Sequence, residues 1–295
     1  MAQIPRSSMK WAMAMTGASF AGTLTAALLW PSAAAERTKP PTIPVFSPDS
    51  STAWLPDRPS GDDFLPPESG PGPVMAPKAE PYVPNGTGDQ PTYRIADTSN
   101  PILMPWAAAQ MEKANDAVRA GGVPFIARER CWPAGVPAFA IHTRRQPIYI
   151  LQADKEVILV NEFNSQIRHI YLNAPHSKNP KASWYGESVG HYEGNTLVID
   201  TTGLNDKTFV DNYRTPHTTK LHVIERLRMI DDGQTLEDAI YVEDQGAFTM
   251  PWKAIQHWSR MHREPLPEYP CGESSNVDYF SYDVVPLPMA HKSDF

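Results

Sequence analysis

The sequence predicts a mainly β protein: an antiparallel up-and-down barrel or sandwich of the lipocalin or calycin type, with one N-terminal helix and a proline-rich arm. From residue 148 onward the chain consists of short segments rich in Val, Ile and Tyr, and turn residues bound most of them. The sequence shows no strand–helix–strand alternation, which excludes the parallel α/β classes. It also lacks a repeat of fixed period, which argues against a propeller.

Residues 1–35 match a secretory signal peptide. Arg6 and Lys10 form a basic start, residues 11–30 carry no charge, and three alanines allow cleavage after Ala35. A transmembrane anchor is the alternative, because the apolar run approaches the ~20 residues that span a bilayer. The signal-peptide interpretation predicts a periplasmic or secreted protein that has no membrane association after cleavage.

Residues 36–91 are predicted to be a proline-rich linker or arm. Residues 40–91 hold 14 of the 31 prolines. Proline fixes φ and removes a backbone donor, so we expect neither helix nor inner sheet here. We expect a linker over residues 36–69 and an arm that wraps over the folded domain over residues 70–91. Binding of a partner in polyproline geometry is the alternative.

Charge and cysteine content narrow the class of protein. The 26 basic and 33 acidic residues give a net charge of −7, which argues against a nucleic-acid binder. Two cysteines are too few for a disulfide-dense scaffold or a Cys₄ zinc site. In an oxidising compartment we expect Cys131 and Cys271 to form a disulfide, with a reactive thiol as the alternative.

The folded domain is predicted to span residues 92–295. Its helix begins at Asn100-Pro101 and ends at Gly121-Gly122, and its apolar stripe comprises Ala107, Met111, Ala114 and Val118. Two short hairpin turns are predicted at 193–195 and 231–233. A barrel of this size is expected to enclose one small-ligand cavity. The predicted strands are 148–151, 157–163, 168–172, 188–192, 196–201, 221–229 and 236–242.

Titratable side chains concentrate between Arg168 and Arg226, where five of the nine histidines lie. Strand parity puts Glu225 on an apolar face, and burial there favours the neutral carboxylic acid that a general acid needs. An interior salt bridge from Glu225 to Arg168 or Arg145 is the alternative. The cluster as a whole predicts acid–base catalysis.

Roles follow for individual residues of this cluster. His191 is the predicted base, Glu225 or His176 the acid, and Tyr185 or Tyr192 the donor to a developing oxyanion. Trp184 and Tyr185, with Tyr192 and Tyr171 nearby, are predicted to form an aromatic wall for a planar ligand, with plain core packing as the alternative. The candidate substrate-binding residues are Trp184, Tyr171, Arg168, His217 and His222.

Other motifs give weaker signals. The loops Pro175-His176-Ser177 and Pro216-His217-Thr218 could meet at one rim of a barrel and supply an acid–base or metal-binding pair. No H-x-H or H-E-x-x-H spacing occurs, so no metal is assigned. Ser188 lies in a G-x-S-x-G string that precedes a strand, whereas the hydrolase motif needs a strand-to-helix elbow. No glycine-rich phosphate loop or dinucleotide fingerprint occurs, so no cofactor is expected.

Three segments carry a resemblance to a known group of proteins. Residues 184–201 read WYGESVGHYEGNTLVIDT, residues 131–137 read CWPAGVP, and residues 221–226 read LHVIER. Together they resemble the core signature and flanking blocks of a widespread family of secreted bacterial proteins, over about residues 92–295. Many members have Asp where this chain has Asn195, so a carboxylate role at that turn is not implied here. The resemblance implies export and a shared domain, but no particular reaction.

The leading hypothesis is a secreted enzyme that acts on a small hydrophobic or aromatic molecule as a lyase, isomerase or hydrolase, without a nucleotide cofactor. The alternative is a non-catalytic, periplasmic, lipocalin-like binding protein, which needs the cavity but no acid–base pair. A third hypothesis is an interaction module that docks through the proline-rich arm. The expected partner of the first two is a small molecule.

Overall fold

Nine strands close into a barrel in the computed structural model, which describes residues 43–57, 63–81, 94–122, 131–141, 147–162 and 165–263. The predicted mainly β barrel with a single α-helix is therefore confirmed for these residues. The strands are β1 (Thr52–Pro56), β2 (Ile148–Gln152), β3 (Glu156–Asn161), β4 (Gln166–Leu172), β5 (Glu187–Glu193), β6 (Thr196–Thr202), β7 (His222–Ile230), β8 (Thr235–Glu243) and β9 (Trp252–His262).

Strand β7 illustrates how the sequence builds the barrel wall. Val223, Glu225 and Leu227 are buried, whereas Arg226 and Arg228 between and beyond them are exposed. Successive side chains of a strand point to opposite faces, so this alternation puts one apolar face inside and one charged face outside. The turn before β6 uses Gly194 at φ 62°, a conformation that glycine adopts without strain.

One pair of neighbouring strands departs from the predicted antiparallel order. Strands β4 and β5 run parallel, with Ile170 opposite Ser188, whereas every other neighbouring pair of the described barrel is antiparallel. Parallel neighbours need a long connection that returns the chain to the starting end. Residues 173–186 provide it, and we call this segment the crossover loop.

Strand β1 corrects the predicted linker over residues 36–69. It forms five residue pairs with β9, and Trp54 also pairs with Ile148 of β2. Pro56 is the last residue of the strand, where a missing N–H costs little, and Trp54 is fully buried. The expectation that the proline-rich segment forms no inner sheet was therefore wrong for Thr52–Pro56, because Trp54 supplies enough apolar surface to hold the strand.

Further residues of the proline-rich segment pack on the barrel. Phe46, Phe64 and Val74 are buried in its main hydrophobic cluster. The backbone N–H of Lys253 donates to the carbonyl of Pro71 (3.0 Å), and that of Asp97 donates to the carbonyl of Met75 (2.8 Å). Residues 71–75 thus lie against the domain in the manner expected of the arm, whose remaining residues 82–91 lie outside the described part.

The helix α1 (Pro105–Arg119) forms where the apolar stripe predicts it. Ala107, Met111 and Ala114 face the core, and proline occupies the first helical position, where its missing N–H is tolerated. The helix begins later than predicted, because Asn100 closes a turn instead: its side-chain carbonyl accepts a hydrogen bond from the N–H of Ile102 (3.1 Å).

Large side chains occupy the inside of the barrel. Trp54, Trp252, Trp258 and Arg168 are each at most 2 % exposed. A ligand cavity was expected at the centre of the barrel. The described clefts open instead at the two ends of the barrel. We call these ends the β6–β7 end, where β6 ends and β7 begins, and the β2–β3 end, where β2 ends and β3 begins.

Two predictions depend on residues outside the described ranges. The signal peptide over residues 1–35 and the disulfide partner Cys271 both lie there, so these predictions stay untested. Within the described ranges, no helix has the length and apolar character needed to cross a membrane.

Candidate functional site

His191 and Glu225, the predicted base and acid, lie on opposite sides of the barrel wall. Glu225 is 2 % exposed and points inside, where Arg168 binds it through two hydrogen bonds, Nη1–Oε1 at 2.8 Å and Nη2–Oε2 at 2.5 Å. The side chain of His191 is 53 % exposed on the outside and contacts Glu193 at 3.0 Å. The prediction that His191 and Glu225 form an acid–base pair was therefore wrong. The alternative prediction, an interior salt bridge from Glu225 to Arg168, is confirmed.

A buried polar layer surrounds this ion pair. Arg168 also donates to Thr201 Oγ1 (2.9 Å) and Ser188 Oγ (3.2 Å). Ser188, the serine of the G-x-S-x-G string, therefore lies within strand β5 and accepts hydrogen bonds from the guanidinium. It is not at the strand-to-helix turn that a hydrolase nucleophile needs. Asp238 lies in the same layer, where its burial and then the charge of Glu225 raise the pKa of its carboxyl well above the ordinary value.

A chain of hydrogen-bonded side chains runs across the outer face of strands β5 to β8. Asp200 Oδ1 lies 2.9 Å from His176 Nε2 and 3.0 Å from His222 Nε2. The second ring nitrogens contact Glu187 (3.1 Å) and Glu243 (2.8 Å). We call these five residues the outer histidine chain. Carboxylates thus occupy all four ring nitrogens of the chain.

The outer histidine chain has the character of a structural ion network. Burial opposes the charged imidazolium of His222, but hydrogen bonds and negative charge from Glu243 and Asp200 outweigh it and raise the pKa of His222. The N–H and hydroxyl of Ser177 donate to Glu187 at 2.6 and 2.5 Å, which ties the crossover loop to the barrel. Among the residues that the structure describes, no group of three or more His, Cys, Asp or Glu is arranged to hold a metal ion.

A cleft of about 280 Å³ opens at the β6–β7 end, and we call it the His217 cleft. Helix α1 contributes Trp106 and Gln110, and Trp132 forms a second aromatic wall. The long β6–β7 connection supplies the rest of the lining: Asp206, Lys207, Thr208, Phe209, Pro216, His217 and Thr218.

The surroundings of His217 fix both its charge and its tautomer. Nδ1 lies 3.0 Å from the backbone carbonyl of Thr218, an atom that can only accept, so Nδ1 carries the proton. Burial lowers the pKa of His217, so the ring is neutral at pH 7. Nε2 is then an unprotonated acceptor, and Thr208 Oγ1 donates to it over 2.8 Å. A hydroxyl, a base and a group that orients the base are thus aligned, as nucleophilic catalysis requires.

Close packing holds the Thr208–His217 pair in position. Gly135 adopts φ +76°, and a Cβ at that position would lie 2.6 Å from Thr208 Oγ1. On the other side, Asp244 accepts hydrogen bonds from the N–H (2.5 Å) and hydroxyl (2.8 Å) of Thr218. These contacts leave Thr208 and His217 only 5 % and 4 % exposed at the floor of the cleft.

Asp211 is a buried acid in the β6–β7 connection that lines the cleft. Asp211 accepts hydrogen bonds from the hydroxyl of Thr215 (2.7 Å) and from the N–H groups of Thr215 (3.1 Å) and Tyr213 (2.9 Å). Burial raises the pKa of Asp211 to about 6 in spite of these bonds. The carboxyl therefore titrates close to neutral pH.

The structure distributes the remaining predicted site residues over separate places. Trp184 packs edge-on against Trp132 at the border of the His217 cleft, with ring centres 5.4 Å apart. Tyr185 donates to Gln166 inside the domain and packs edge-on against Phe139, and its burial raises the pKa of its phenol.

Tyr171 and Tyr192 lie elsewhere. Tyr171 is 49 % exposed and stacks on His169 on the outside of the barrel. Tyr192 lies at the β2–β3 end, where Gln152 donates to its hydroxyl over 2.9 Å. The predicted residues thus do not converge on one site, although His217 lies in the cleft.

Sequence reasoning missed Thr208, Trp106 and Trp132 as candidate site residues. The loop tripeptide around His217 was the one signal of this cleft in the sequence. A comparison of the chain with models of known protein families found no match, and a comparison with curated proteins found none either.

Proposed function

We propose that the protein is an exported hydrolase that acts on a small, partly aromatic molecule in the His217 cleft. The observation that carries this proposal is the hydrogen bond from Thr208 Oγ1 to His217 Nε2, together with the carbonyl of Thr218 that fixes the tautomer. Hydrolysis is one of the three reaction classes expected from the sequence. It is favoured because the group that donates to the base is itself a nucleophile.

The reaction would proceed in two balanced steps. Thr208 Oγ attacks the carbonyl carbon of an ester while its proton passes to His217 Nε2, and the alcohol then leaves with that proton. Water next attacks the acyl-threonine, His217 takes a proton from the water, and Thr208 Oγ regains it when the acid departs. His217 is neutral at the start of both steps, as its lowered pKa requires.

The lining supports a small substrate with a flat apolar part. Trp106 is 43 % exposed beside the cleft, and Trp132 faces the same space. A volume of about 280 Å³ is near the lower end of small-molecule sites. Lys207 in the lining supplies a positive charge for a developing oxyanion or for an acidic substituent.

Hydrolysis of 4-nitrophenyl acetate, followed by mass spectrometry of the quenched protein, tests this proposal. We expect an acetylated Thr208 peptide in wild type, loss of turnover by roughly 10²-fold or more in Thr208→Val, and partial activity in Thr208→Ser. His169→Gln, an exposed histidine outside the cleft, is the matched control and should keep wild-type turnover. Equal turnover by wild type and Thr208→Val would overturn the proposal.

Export belongs to the same proposal and rests on the pattern of residues 1–35 and on the resemblance of residues 131–137, 184–201 and 221–226 to secreted proteins. A small molecule is the proposed partner, and the net charge of −7 argues against a nucleic acid in its place. N-terminal sequencing of the mature protein from a periplasmic extract tests export. A mature chain that begins at Glu36 is expected, and retention of residues 1–35 would overturn it.

A further inference from the structure

A second cleft, at the β2–β3 end of the barrel, has the composition of an apolar ligand site. Its volume is about 860 Å³, and we call it the Leu151 cleft. Leu151 and Leu172 line it from the ends of β2 and β4, and Ile43 and Val45 line it from the segment before β1. Because it lies at the opposite end of the barrel from the His217 cleft, it is separate from the proposed catalytic site.

Exposed apolar side chains concentrate at this cleft. Ile43, Val45 and Leu151 are 56, 58 and 52 % exposed, and they are three of the eight large hydrophobic side chains that are exposed among the described residues. An apolar surface left open to water beside a concave volume is typical of a ligand-binding site. An alkyl chain laid along these residues would remove their surface from water.

The phenol of Tyr192 is a polar group in the cleft that a ligand can use. Gln152 is fully engaged, since its amide donates to the carbonyl of Pro44 (2.8 Å) and to the hydroxyl of Tyr192, while its carbonyl accepts from the N–H of Phe46 (2.8 Å). The oxygen of Tyr192 therefore accepts, and its own proton has no acceptor among the described residues. Burial raises the pKa of Tyr192, so the phenol remains a donor at neutral pH.

The charges in the lining determine which head group fits. Asp49 and Asp154 line the cleft, and its described lining contains no Lys or Arg. A carboxylate head group would meet two like charges and no cation, whereas a neutral ester or ketone could accept the proton of Tyr192 without repulsion. The lining therefore selects against free fatty acids.

We propose that the Leu151 cleft binds a neutral amphiphile that has one alkyl chain and a hydrogen-bond-accepting head group, with the chain against Leu151, Ile43 and Val45 and the head group at Tyr192. The contacts that support it are the exposed apolar rim, the unused phenol proton and the acidic lining. The site is independent of the proposed hydrolase activity.

Displacement of the fluorescent probe N-phenyl-1-naphthylamine from the full-length protein tests this inference. We expect saturable binding of the probe and displacement by methyl decanoate at concentrations about 10-fold lower than by decanoate. Tyr192→Phe removes one hydrogen bond, so it should weaken the binding of methyl decanoate by roughly 5-fold and leave the binding of the probe unaffected.

Two further variants separate specific from general apolar binding. Leu151→Glu should weaken the probe by about 10-fold or more, because it puts a charge into the apolar rim. Ile167→Glu replaces an apolar side chain of similar exposure on the outside of β4 and should bind like wild type. Thr208→Val should also bind like wild type, whatever its effect on hydrolysis. Non-saturable binding, equal effects of the two glutamate substitutions, or decanoate that displaces as well as its ester would overturn the inference.

Discussion

The hydroxyl of Thr208 donates to Nε2 of His217 over 2.8 Å, and the direction of this bond is set by the Thr218 carbonyl on the far side of the ring. The pair is therefore ready to pass a proton from threonine to histidine, but not in the reverse direction, while the ring is neutral. This relationship determines how activity should depend on pH.

The rate of ester hydrolysis should fall as the pH falls through the lowered pKa of His217, because the protonated ring can no longer accept the proton of Thr208. The inflection is expected below 6.5, the ordinary pKa of histidine. A pH–rate profile of kcat/KM between pH 4 and 9 measures it. A profile that is flat down to pH 4 would contradict a role for His217.

Gly135→Ala should reduce both stability and hydrolysis. Its Cβ would overlap Thr208 Oγ1, and φ +76° adds backbone strain, so we expect a loss of more than about 2 kcal/mol in the free energy of unfolding. Gly194→Ala is the matched control, since Gly194 has φ +62° but open space around it. It should cost only about 1 kcal/mol. Urea denaturation of both variants measures the difference, and equal losses would argue against the close contact with Thr208.

Arg168→Met should be strongly destabilising, by about 3–5 kcal/mol, because it leaves the buried Glu225 without a counterion. The double variant Arg168→Met, Glu225→Leu should recover most of that loss. Arg226→Ala removes a surface pair with Glu193, whose side chains are 45 and 48 % exposed, and should cost less than about 1 kcal/mol. Thermal unfolding distinguishes these cases. A double variant no more stable than Arg168→Met would show that polar contacts beyond the ion pair dominate.

Asp211→Asn should stabilise the protein more at pH 7 than at pH 4. The folded-state pKa of Asp211, about 6, lies above the ordinary 3.8. The carboxyl therefore costs wild type no stability below pH 3.8, and the free energy of unfolding falls as the pH rises from 3.8 through 6. Asparagine keeps the acceptor for the backbone N–H groups without the charge. The gap between the variant and wild type should widen by about 2–3 kcal/mol from pH 4 to 7. Denaturation at both pH values tests this, and a constant gap would refute it.

His222→Gln should lower the stability of the folded protein at acidic to neutral pH only. The raised pKa of His222 means that its stabilising contribution is complete below 6.5 and disappears as the pH rises through the folded-state value. The side chain is 26 % exposed and its partners are about 40 % exposed, so the loss should stay within about 1 kcal/mol. Comparing melting temperatures at pH 6 and pH 9 checks the sign of this difference.

Local patterns predicted much of the barrel, because alternation in a strand such as β7 is visible in the sequence itself. Strand β9 was missed although Trp252, Ala254 and Trp258 alternate with polar residues, since Gln256 interrupts the apolar parity. Strand β1 was missed because proline content was given more weight than the burial of Trp54. Parity also placed Glu225 of β7 correctly on the buried apolar face.

The candidate site was less predictable, for a physical reason. Gly135 and Thr208 meet only after folding, although they are 73 residues apart in sequence, and the charge of His217 depends on burial that no local pattern encodes. The five histidines that crowd together in sequence separate in the fold. His176 and His222 lie in the outer histidine chain, His169 and His191 lie elsewhere on the outside, and His217 lies in the cleft.

Closure of the barrel by β1 has a practical consequence for anyone who trims this protein. The sequence suggests that the domain begins at residue 92. A fragment that starts there would lack strand β1, which lies between β2 and β9, and would expose the backbone N–H and C=O groups of both strands to solvent. Unpaired edge strands form hydrogen bonds with strands of other molecules, so the shortened polypeptide should aggregate rather than remain monodisperse.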